Sequence, residues 1–322
     1  MYVEHLRKLY HHNFVTLTKE HLGRSGTEAE EANNHIPIHG DIYQVPDSSF
    51  PVDSPSLDLL VGGFPCQPFS ALGKQPGLSC PKGNLFLEIV RMLRVSKPKA
   101  FLLENVPGLV GMEDTFKIIV TALEDEGYDV TYEVCSARGL TVTGRKRLFL
   151  VGLRRGIDGE SCREPNKFEF PFVPDLSLMF RDVLDFDNLP QQELDILRLS
   201  TSTFDQLLNN RRWKPSRLAW PNTKGDTLTS HYGNSVGRGE SQLVPCKAPY
   251  APRRFSVREM ARMMGFPNSY EFLPPAPRQS PMAYRKEVSV FIKREFFFSV
   301  SSIVVNFNCL KIFLFTAISS DR

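Results

Sequence analysis

The feature that most constrains this chain is an alternation of short apolar runs and amphipathic helical segments between residues 57 and 153. Residues 57–63 read as a buried strand that ends at two glycines. Residues 84–95 and 112–126 carry apolar side chains at helical spacing, and residues 100–104 between them read as a second strand. This order predicts an α/β fold built on a doubly wound, Rossmann-like sheet.

Two further strand-like segments, residues 128–135 and 147–153, are close enough in the chain to form an antiparallel end to that sheet. Repeated prolines then interrupt the sequence and leave one helical stretch, which we place at residues 191–208. Another helix is predicted at residues 258–264, directly before a glycine. We therefore expect a second, smaller and irregular lobe.

Composition narrows the possible partners only slightly. A net charge of +3, from 39 basic and 36 acidic residues, is too small to indicate nucleic-acid binding unless the charges cluster locally. The six cysteines form no Cys-x-x-Cys pair, so we expect no bound metal and a reducing compartment. The uncharged stretch at residues 296–310 contains several Ser and Asn residues, so no membrane partner is expected. We predict an intracellular protein, nuclear if the source is eukaryotic and cytoplasmic if it is bacterial.

Cys66 is the sharpest candidate for a reactive group. It lies in a Gly- and Pro-rich loop after the first predicted strand, where open α/β sheets tend to bind their ligands. A loop thiol at a strand end can be exposed and activated as a nucleophile. The alternative is a small buried apolar residue, which is the commoner fate of a single cysteine.

Charged residues follow or precede the other predicted strands. Glu104 ends the second strand, so a parallel sheet would bring it to the same edge as Cys66. A carboxyl group beside a thiol suits a reaction in which a nucleophile adds to a ring and an acid protonates a ring nitrogen. Strand alternation would send Arg145 and Arg147 to one face, where they could clamp a phosphate or a carbonyl. The alternatives are a helix cap or salt bridge for Glu104 and solvated surface for the arginines.

Four segments resemble, in order, the motifs of the cytosine-C5 DNA methyltransferases. They are Gly-Phe-Pro-Cys-Gln-Pro-Phe-Ser at 63–70, Glu-Asn-Val at 104–106, Arg-x-Arg at 145–147 and Arg-Glu-Met-Ala-Arg-Met-Met-Gly-Phe-Pro at 258–267. The resemblance implies an S-adenosylmethionine-dependent methyltransferase sheet with a smaller target-recognition lobe. In chain order it implies a catalytic lobe at 1–155, a target-recognition lobe at 156–225, a return to the catalytic lobe at 226–286, and an atypical tail at 287–322.

The resemblance also implies a mechanism. Cys66 would add to C6 of a cytosine flipped out of double-stranded DNA, and Glu104 would contact and protonate N3. The activated C5 would then take the methyl group of S-adenosylmethionine. Arg145 and Arg147 would help to position Cys66 and the base. Local positive charge for DNA phosphates would come from Arg211, Arg212, Lys214 and Arg217, with Trp213 among them. The alternative for these residues is a solvated surface loop.

The chain departs from the family pattern at both ends. The Phe-x-Gly-x-Gly loop of the first strand and the acidic residue that binds the ribose are not found, and neither is the final Asn-Ser/Ala-Val motif. We hypothesise that Met1 and the tail after Lys286 reflect errors in the gene model. The cofactor contacts that the resemblance still implies are Asp41, near the adenine amino group, Ile42, Pro65 and Leu85.

Two other functions fit the same motifs. The branch of the family that methylates tRNA uses identical chemistry, but it usually carries Cys-Phe-Thr where this chain has Asp226-Thr227-Leu228. That difference favours DNA as the substrate. The missing glycine loop suits a third interpretation, a catalytically inactive DNA-binding remnant.

Overall fold

The computed structural model forms two compact units. We call them the sheet unit, which takes residues 37–136, 146–172 and 307–322, and the second unit, which takes residues 1–36, 137–145 and 173–306. The structure describes residues 42–50, 57–64, 85–156, 167–172, 174–186, 188–228, 232, 242–247 and 249–268, and the backbone of 312–316.

The sheet unit is built on a mixed five-stranded sheet with the strand order β3-β4-β2-β1-β5. Strand β1 runs parallel to β2 and to β5, whereas β4 is antiparallel to both β2 and β3. This arrangement confirms the predicted Rossmann-like α/β class with an antiparallel end. The strands are β1 (Leu59–Gly63), β2 (Ala100–Asn105), β3 (Tyr128–Ser136), β4 (Lys146–Arg154) and β5 (Ile312–Thr316).

Two helices, α1 (Leu85–Ser96) and α2 (Glu113–Asp125), begin and end within one residue of the predicted bounds. Their helical spacing puts apolar side chains on one face, and these join the apolar core of the sheet unit. After α1 the chain turns at Lys97, which has a positive φ of 40°, and Pro98 prevents the helix from continuing.

Strand β4 passes close to β2 because it carries a glycine opposite an aromatic ring. Gly152 pairs with Phe101 across the antiparallel ladder, and a side chain on Gly152 would overlap that ring. The Phe101 ring also packs against Tyr128, with centroids 5.1 Å apart. The hydroxyl of Tyr128 donates a hydrogen bond to the carbonyl of Pro98 at 2.8 Å. This part of the core therefore depends on the small volume of Gly152.

The second unit contains short helices, and one prediction for it is wrong. The predicted single helix at 191–208 is two helices, α3 (Gln191–Leu197) and α4 (Thr201–Leu208). The break occurs because Leu199 N donates to the carbonyl of Pro252 at 3.0 Å instead of continuing the helix. Ser200 then caps α4 by accepting a hydrogen bond from Thr203 N.

Helix α5 (Val257–Met263) begins with a capping box and ends before Gly265, which has a φ of 89°. The Ser256 hydroxyl accepts from Glu259 N at 3.1 Å, and the Glu259 carboxylate accepts from Ser256 N at 2.7 Å. The same carboxylate receives both terminal nitrogens of Arg253 at 2.8 Å. The exposed fractions of these two charged side chains are 1% for Arg253 and 0% for Glu259.

The described part of residues 226–268 packs within the second unit. Glu259 accepts from Asp185 N at 2.8 Å, and the ring of Phe255 lies 5.8 Å from that of Phe180. Residues 137–145 also belong to this unit. Within the part of the chain that the structure describes, no helix is long and apolar enough to cross a membrane.

Candidate active site

The carboxyl ends of β1 and β2 meet at one edge of the sheet. In the parallel register Gly63, the last residue of β1, pairs with Glu104 of β2. Cys66 follows Gly63 by three residues, but Cys66, Pro65 and Asp41 lie outside the described residues. The structure therefore places Glu104 next to the strand end from which the Cys66 loop begins.

The chain directly before that loop is fixed from two sides. Phe64 is buried, and its ring packs edge-to-face on Phe86 of α1 with centroids 5.3 Å apart. The side-chain amide of the buried Asn105 donates to the carbonyl of Phe64 at 3.4 Å, and its oxygen accepts from Val106 N at 2.8 Å. Asn105 thus ties the end of β2 to the start of the loop. We did not predict this role, although Asn105 lies inside the Glu-Asn-Val motif.

Glu104 forms an ion pair with Arg147 of β4. The Arg147 Nε atom lies 2.6 Å from Glu104 Oε1, and the exposed fractions of the two side chains are 16% and 24%. Glu104 pairs with Phe149 across the antiparallel ladder, so Arg147, two residues earlier, lies on the same face as a diagonal neighbour. Arg147 also donates from Nη1 to the carbonyl of Lys146 at 2.7 Å. The guanidinium is held from two sides and leaves part of the carboxylate accessible.

Arg145 differs from Arg147 in its surroundings. It lies one residue before β4 begins, so the alternation expected to put both arginines on one face does not extend to it. Its carbonyl accepts a hydrogen bond from Ala137 N at 2.8 Å, and its side chain is buried in the second unit. Glu104 and Arg147 are therefore in contact, whereas Arg145 belongs to the second unit.

Ile42 and Leu85, two of the four cofactor residues implied by the sequence, belong to one apolar cluster of the sheet unit. Arg91 of α1 holds the turn that contains Ile42, since its Nη2 donates to the Ile42 carbonyl at 3.1 Å and its Nη1 to the Val45 carbonyl at 3.0 Å. The side chains of Ile42 and Leu85 are almost covered, with exposed fractions of 8% and 7%. They fit the apolar edge of an aromatic ring such as adenine, and they carry no donor for a ribose or an amino acid group.

The basic segment of the second unit divides into exposed and packed residues. Arg211, Arg212 and Lys214 are exposed. Arg217 is half-buried and pairs with Asp226 at 3.2 Å. Trp213 is half-buried against Phe204, with ring centroids 6.0 Å apart, so it is a packing residue. An exposed aromatic ring is instead supplied by Trp220, which the sequence did not indicate because no basic residue flanks it.

Among the described residues no group of three or more His, Cys, Asp or Glu side chains could hold a metal ion.

Two relatives that match most of this chain in sequence are Type II methyltransferases. The chain is 32% identical over 253 residues to the Type II methyltransferase M.BsuFI of Bacillus subtilis, a match that covers 75% of this chain and 56% of that protein. It is 35% identical over 244 residues to the Type II methyltransferase M.MspI of a Moraxella species, covering 72% and 52%. The chain thus spans little more than half the length of these relatives.

Solved structures share the fold at low sequence identity. The Schizosaccharomyces pombe (S. pombe) Dnmt2 methyltransferase matches with a TM-score of 0.56 and 19% identity, over 83% of this chain and 82% of that one. The Entamoeba histolytica methyltransferase EhMeth matches with a TM-score of 0.56 and 18% identity, over 93% and 88%. The model of the C-5 cytosine-specific DNA methylase family matches residues 27–286, which is most of the chain. This protein therefore belongs to the C-5 cytosine-specific DNA methylase family.

Proposed function

We propose that this protein transfers a methyl group from S-adenosylmethionine to C5 of cytosine in DNA through a covalent adduct with Cys66. The observation that carries the proposal is the meeting of β1 and β2, where Gly63 pairs with Glu104 and Glu104 contacts Arg147. Support also comes from relatives that are Type II methyltransferases. A tRNA substrate and an inactive DNA-binding remnant are the alternatives that an experiment must separate.

The reaction needs a nucleophile because C5 of cytosine is itself unreactive. Addition of the Cys66 thiolate to C6 gives the ring enamine character, which makes C5 nucleophilic. After C5 has taken the methyl group, loss of the C5 proton and breakage of the bond between Cys66 and C6 restore the aromatic ring. The Phe64 ring and the Asn105 amide support this step by fixing the chain just before the loop.

Glu104 supplies the second requirement, control of charge on the ring. When Cys66 adds to C6, a proton at N3 stabilises the ring, and the Glu104 carboxyl group would deliver it. The charges of the thiolate and the proton cancel, so this adduct is neutral. Positive charge develops on the ring when C5 takes the methyl group, and the carboxylate beside N3 would offset it until the C5 proton leaves. Arg147 holds Glu104 in one orientation, since its Nε contacts one carboxylate oxygen and the backbone of β4 fixes its other end. We assign Glu104 as a catalytic residue and Arg147 as its positioning residue.

A cytosine inside a duplex cannot reach Cys66, so the base must be extruded, which costs a few kcal/mol. We propose that residues 156–225 recognise the target DNA, and that the exposed Arg211, Arg212 and Lys214 contact its phosphates. Residues 226–286 would return the chain to the catalytic lobe. Arg145 would help to hold the base.

S-adenosylmethionine supplies the methyl group when it is bound. Ile42 and Leu85 would contact the apolar edge of its adenine ring, and Asp41 and Pro65 would complete the adenine contacts. The described residues of this cluster are apolar, which fits the adenine and not the polar parts of the cofactor.

Transfer of tritium from S-adenosyl-[methyl-³H]methionine tests the proposal. The protein is incubated with duplex DNA or with tRNA, alongside Cys66→Ser and Glu104→Gln variants. We expect labelled 5-methylcytosine in DNA with the native protein and none with Cys66→Ser. Label in tRNA alone would overturn the DNA substrate. DNA binding without any transfer would favour the inactive remnant.

A further inference from the structure

We infer, on the basis of the proposed role of Cys66, that β5 is a functional part of the sheet unit that holds the strand leading into the Cys66 loop. A functional β5 stands against the hypothesis that the tail after Lys286 reflects an error in the gene model. Ile312–Thr316 lies in a segment where the sequence predicts no element. In the structure these five residues pair in parallel with all five residues of β1, from Leu59 opposite Ile312 to Gly63 opposite Thr316.

The burial of β1 explains why a partner is needed on this side. Every residue of β1 is buried, and its other edge is already paired with β2. A parallel strand that is covered by the protein must have its backbone N–H and C=O groups paired, because no water reaches them. Without β5 the buried β1 would be the edge of the sheet with half of these groups unpaired. Pairing with β5 satisfies these groups of β1 and moves the edge of the sheet to β5.

The end of β1 depends on backbone pairing more than its start. Gly62 and Gly63 have no side chains that could anchor the chain by packing. Their Cα partners are Leu103 and Glu104 in the β2 ladder, and Phe315 and Thr316 in the β5 ladder. The pairing with β5 therefore reaches the residue directly before Phe64, three residues from Cys66. Loosening it would free Gly63, the residue of β1 that pairs with Glu104.

Hydrogen exchange measured by mass spectrometry tests this role without requiring activity. Three chains are compared: the full chain, the chain ended after Lys311, which lacks β5, and the chain ended after Thr316 as the matched control. We expect amide exchange in residues 59–64 to become faster by about a factor of ten or more when β5 is removed. Exchange in β3 and β4 should stay within about twofold, and the control should match the full chain.

Unchanged exchange in β1 after removal of β5 would overturn the inference. Equal acceleration of β1, β3 and β4 would also overturn it, since that would show a general loss of stability.

A second test uses the full-length chain. Paired strands lie about 4.8 Å apart, within reach of a disulfide. Cysteines introduced together at Val61 and Leu314, which are Cα partners, should cross-link on oxidation. Cysteines at Val61 and Phe313 should not, because a one-residue shift places them on opposite faces. Equal cross-linking of both pairs would contradict the register. A chain that fails to methylate DNA but shows these results would refute the proposed function and not the role of β5.

Discussion

Each unit of the protein contains a Glu–Arg pair, and the two pairs differ in burial. At the sheet edge Glu104 contacts Arg147 through one oxygen, and both side chains remain partly exposed. In the second unit Glu259 receives both terminal nitrogens of Arg253 and the backbone N–H groups of Ser256 and Asp185.

This difference separates a pair suited to chemistry from a pair suited to structure. The Glu259 carboxylate is fully buried and all its contacts are with the protein itself, so no substrate can reach it. Its four hydrogen bonds join the segment before α5, the start of α5 and the chain near Asp185. Glu104 is partly exposed at the end of β2, where a ligand of an open sheet would bind. Under the proposed function, the same two residue types therefore have different roles because their surroundings differ.

The largest expected effect is the loss of the buried pair. Glu259→Ala leaves the buried Arg253 without its carboxylate and should lower the free energy of unfolding by about 3–5 kcal/mol. Urea unfolding followed by tryptophan fluorescence measures the change, since both tryptophans, Trp213 and Trp220, lie in the second unit. Asp195→Ala, which removes an exposed partner of Arg198, is the control and should change stability by less than about 1 kcal/mol. Equal effects of the two variants would contradict the distinction.

The partly exposed pair of Glu104 and Arg147 should affect activity more than stability. Glu104→Gln keeps the shape of the side chain but removes its charge and its acidic proton. We expect methyl transfer to slow by roughly 100-fold or more, while the free energy of unfolding changes by no more than about 1 kcal/mol. Single-turnover transfer of labelled methyl groups and urea unfolding give the two values. A variant that loses stability and activity in proportion would show that Glu104 is structural.

Gly152→Ala tests whether the sheet unit depends on apolar packing instead of charge. The new methyl group overlaps the Phe101 ring, so we expect a loss of about 1–3 kcal/mol in the free energy of unfolding. Phe101→Leu in the same chain makes space and should recover part of that loss. A double-mutant cycle by urea unfolding, followed by circular dichroism, measures the coupling. Additive effects of the two changes would mean that the overlap is relieved elsewhere.

The smallest effects are expected at two residues with positive φ, one in each unit. Lys97 ends α1 with a φ of 40°, and Ser177 in the second unit has a φ of 52°. Glycine adopts such conformations without steric cost, so Lys97→Gly and Ser177→Gly should each raise the free energy of unfolding by about 0.5 kcal/mol. Thermal unfolding of both variants checks the sign. A lower melting temperature for Lys97→Gly would indicate that its side chain makes a stabilising contact.

The sequence predicted the sheet unit well because local periodicity determines it. The helical spacing of residues 84–95 and the apolar runs on either side correspond to α1, β1 and β2 within a few residues. The break between α3 and α4 was not predictable in this way. Helical spacing continues through it, and the break is fixed by hydrogen bonds from Leu199 N to Pro252 and from Arg254 N to Leu197, more than 50 residues apart in the chain.

The candidate site was predicted in part for the same reason. Glu104 and Arg147 could be chosen because they lie at ends of predicted strands, and the ladder then brings them together. The contribution of Asn105 depends on a contact with Phe64, which is 41 residues away, so it required the tertiary structure. The Glu259 pair had a local signal, the Ser-x-x-Glu capping box at residues 256–259, but its burial did not show in the sequence.

The central claim is that Cys66 is the nucleophile, and trapping on a modified base tests it most directly. A duplex that carries 5-fluorocytosine at the target position cannot release the enzyme after methyl transfer, because fluorine replaces the C5 proton that must leave. The protein is incubated with this duplex and S-adenosylmethionine, digested, and analysed by mass spectrometry. We expect a single adduct on the peptide that contains Cys66, and none with Cys66→Ser. An adduct on Cys135 or Cys246, or methyl transfer by the Cys66→Ser variant, would contradict the account.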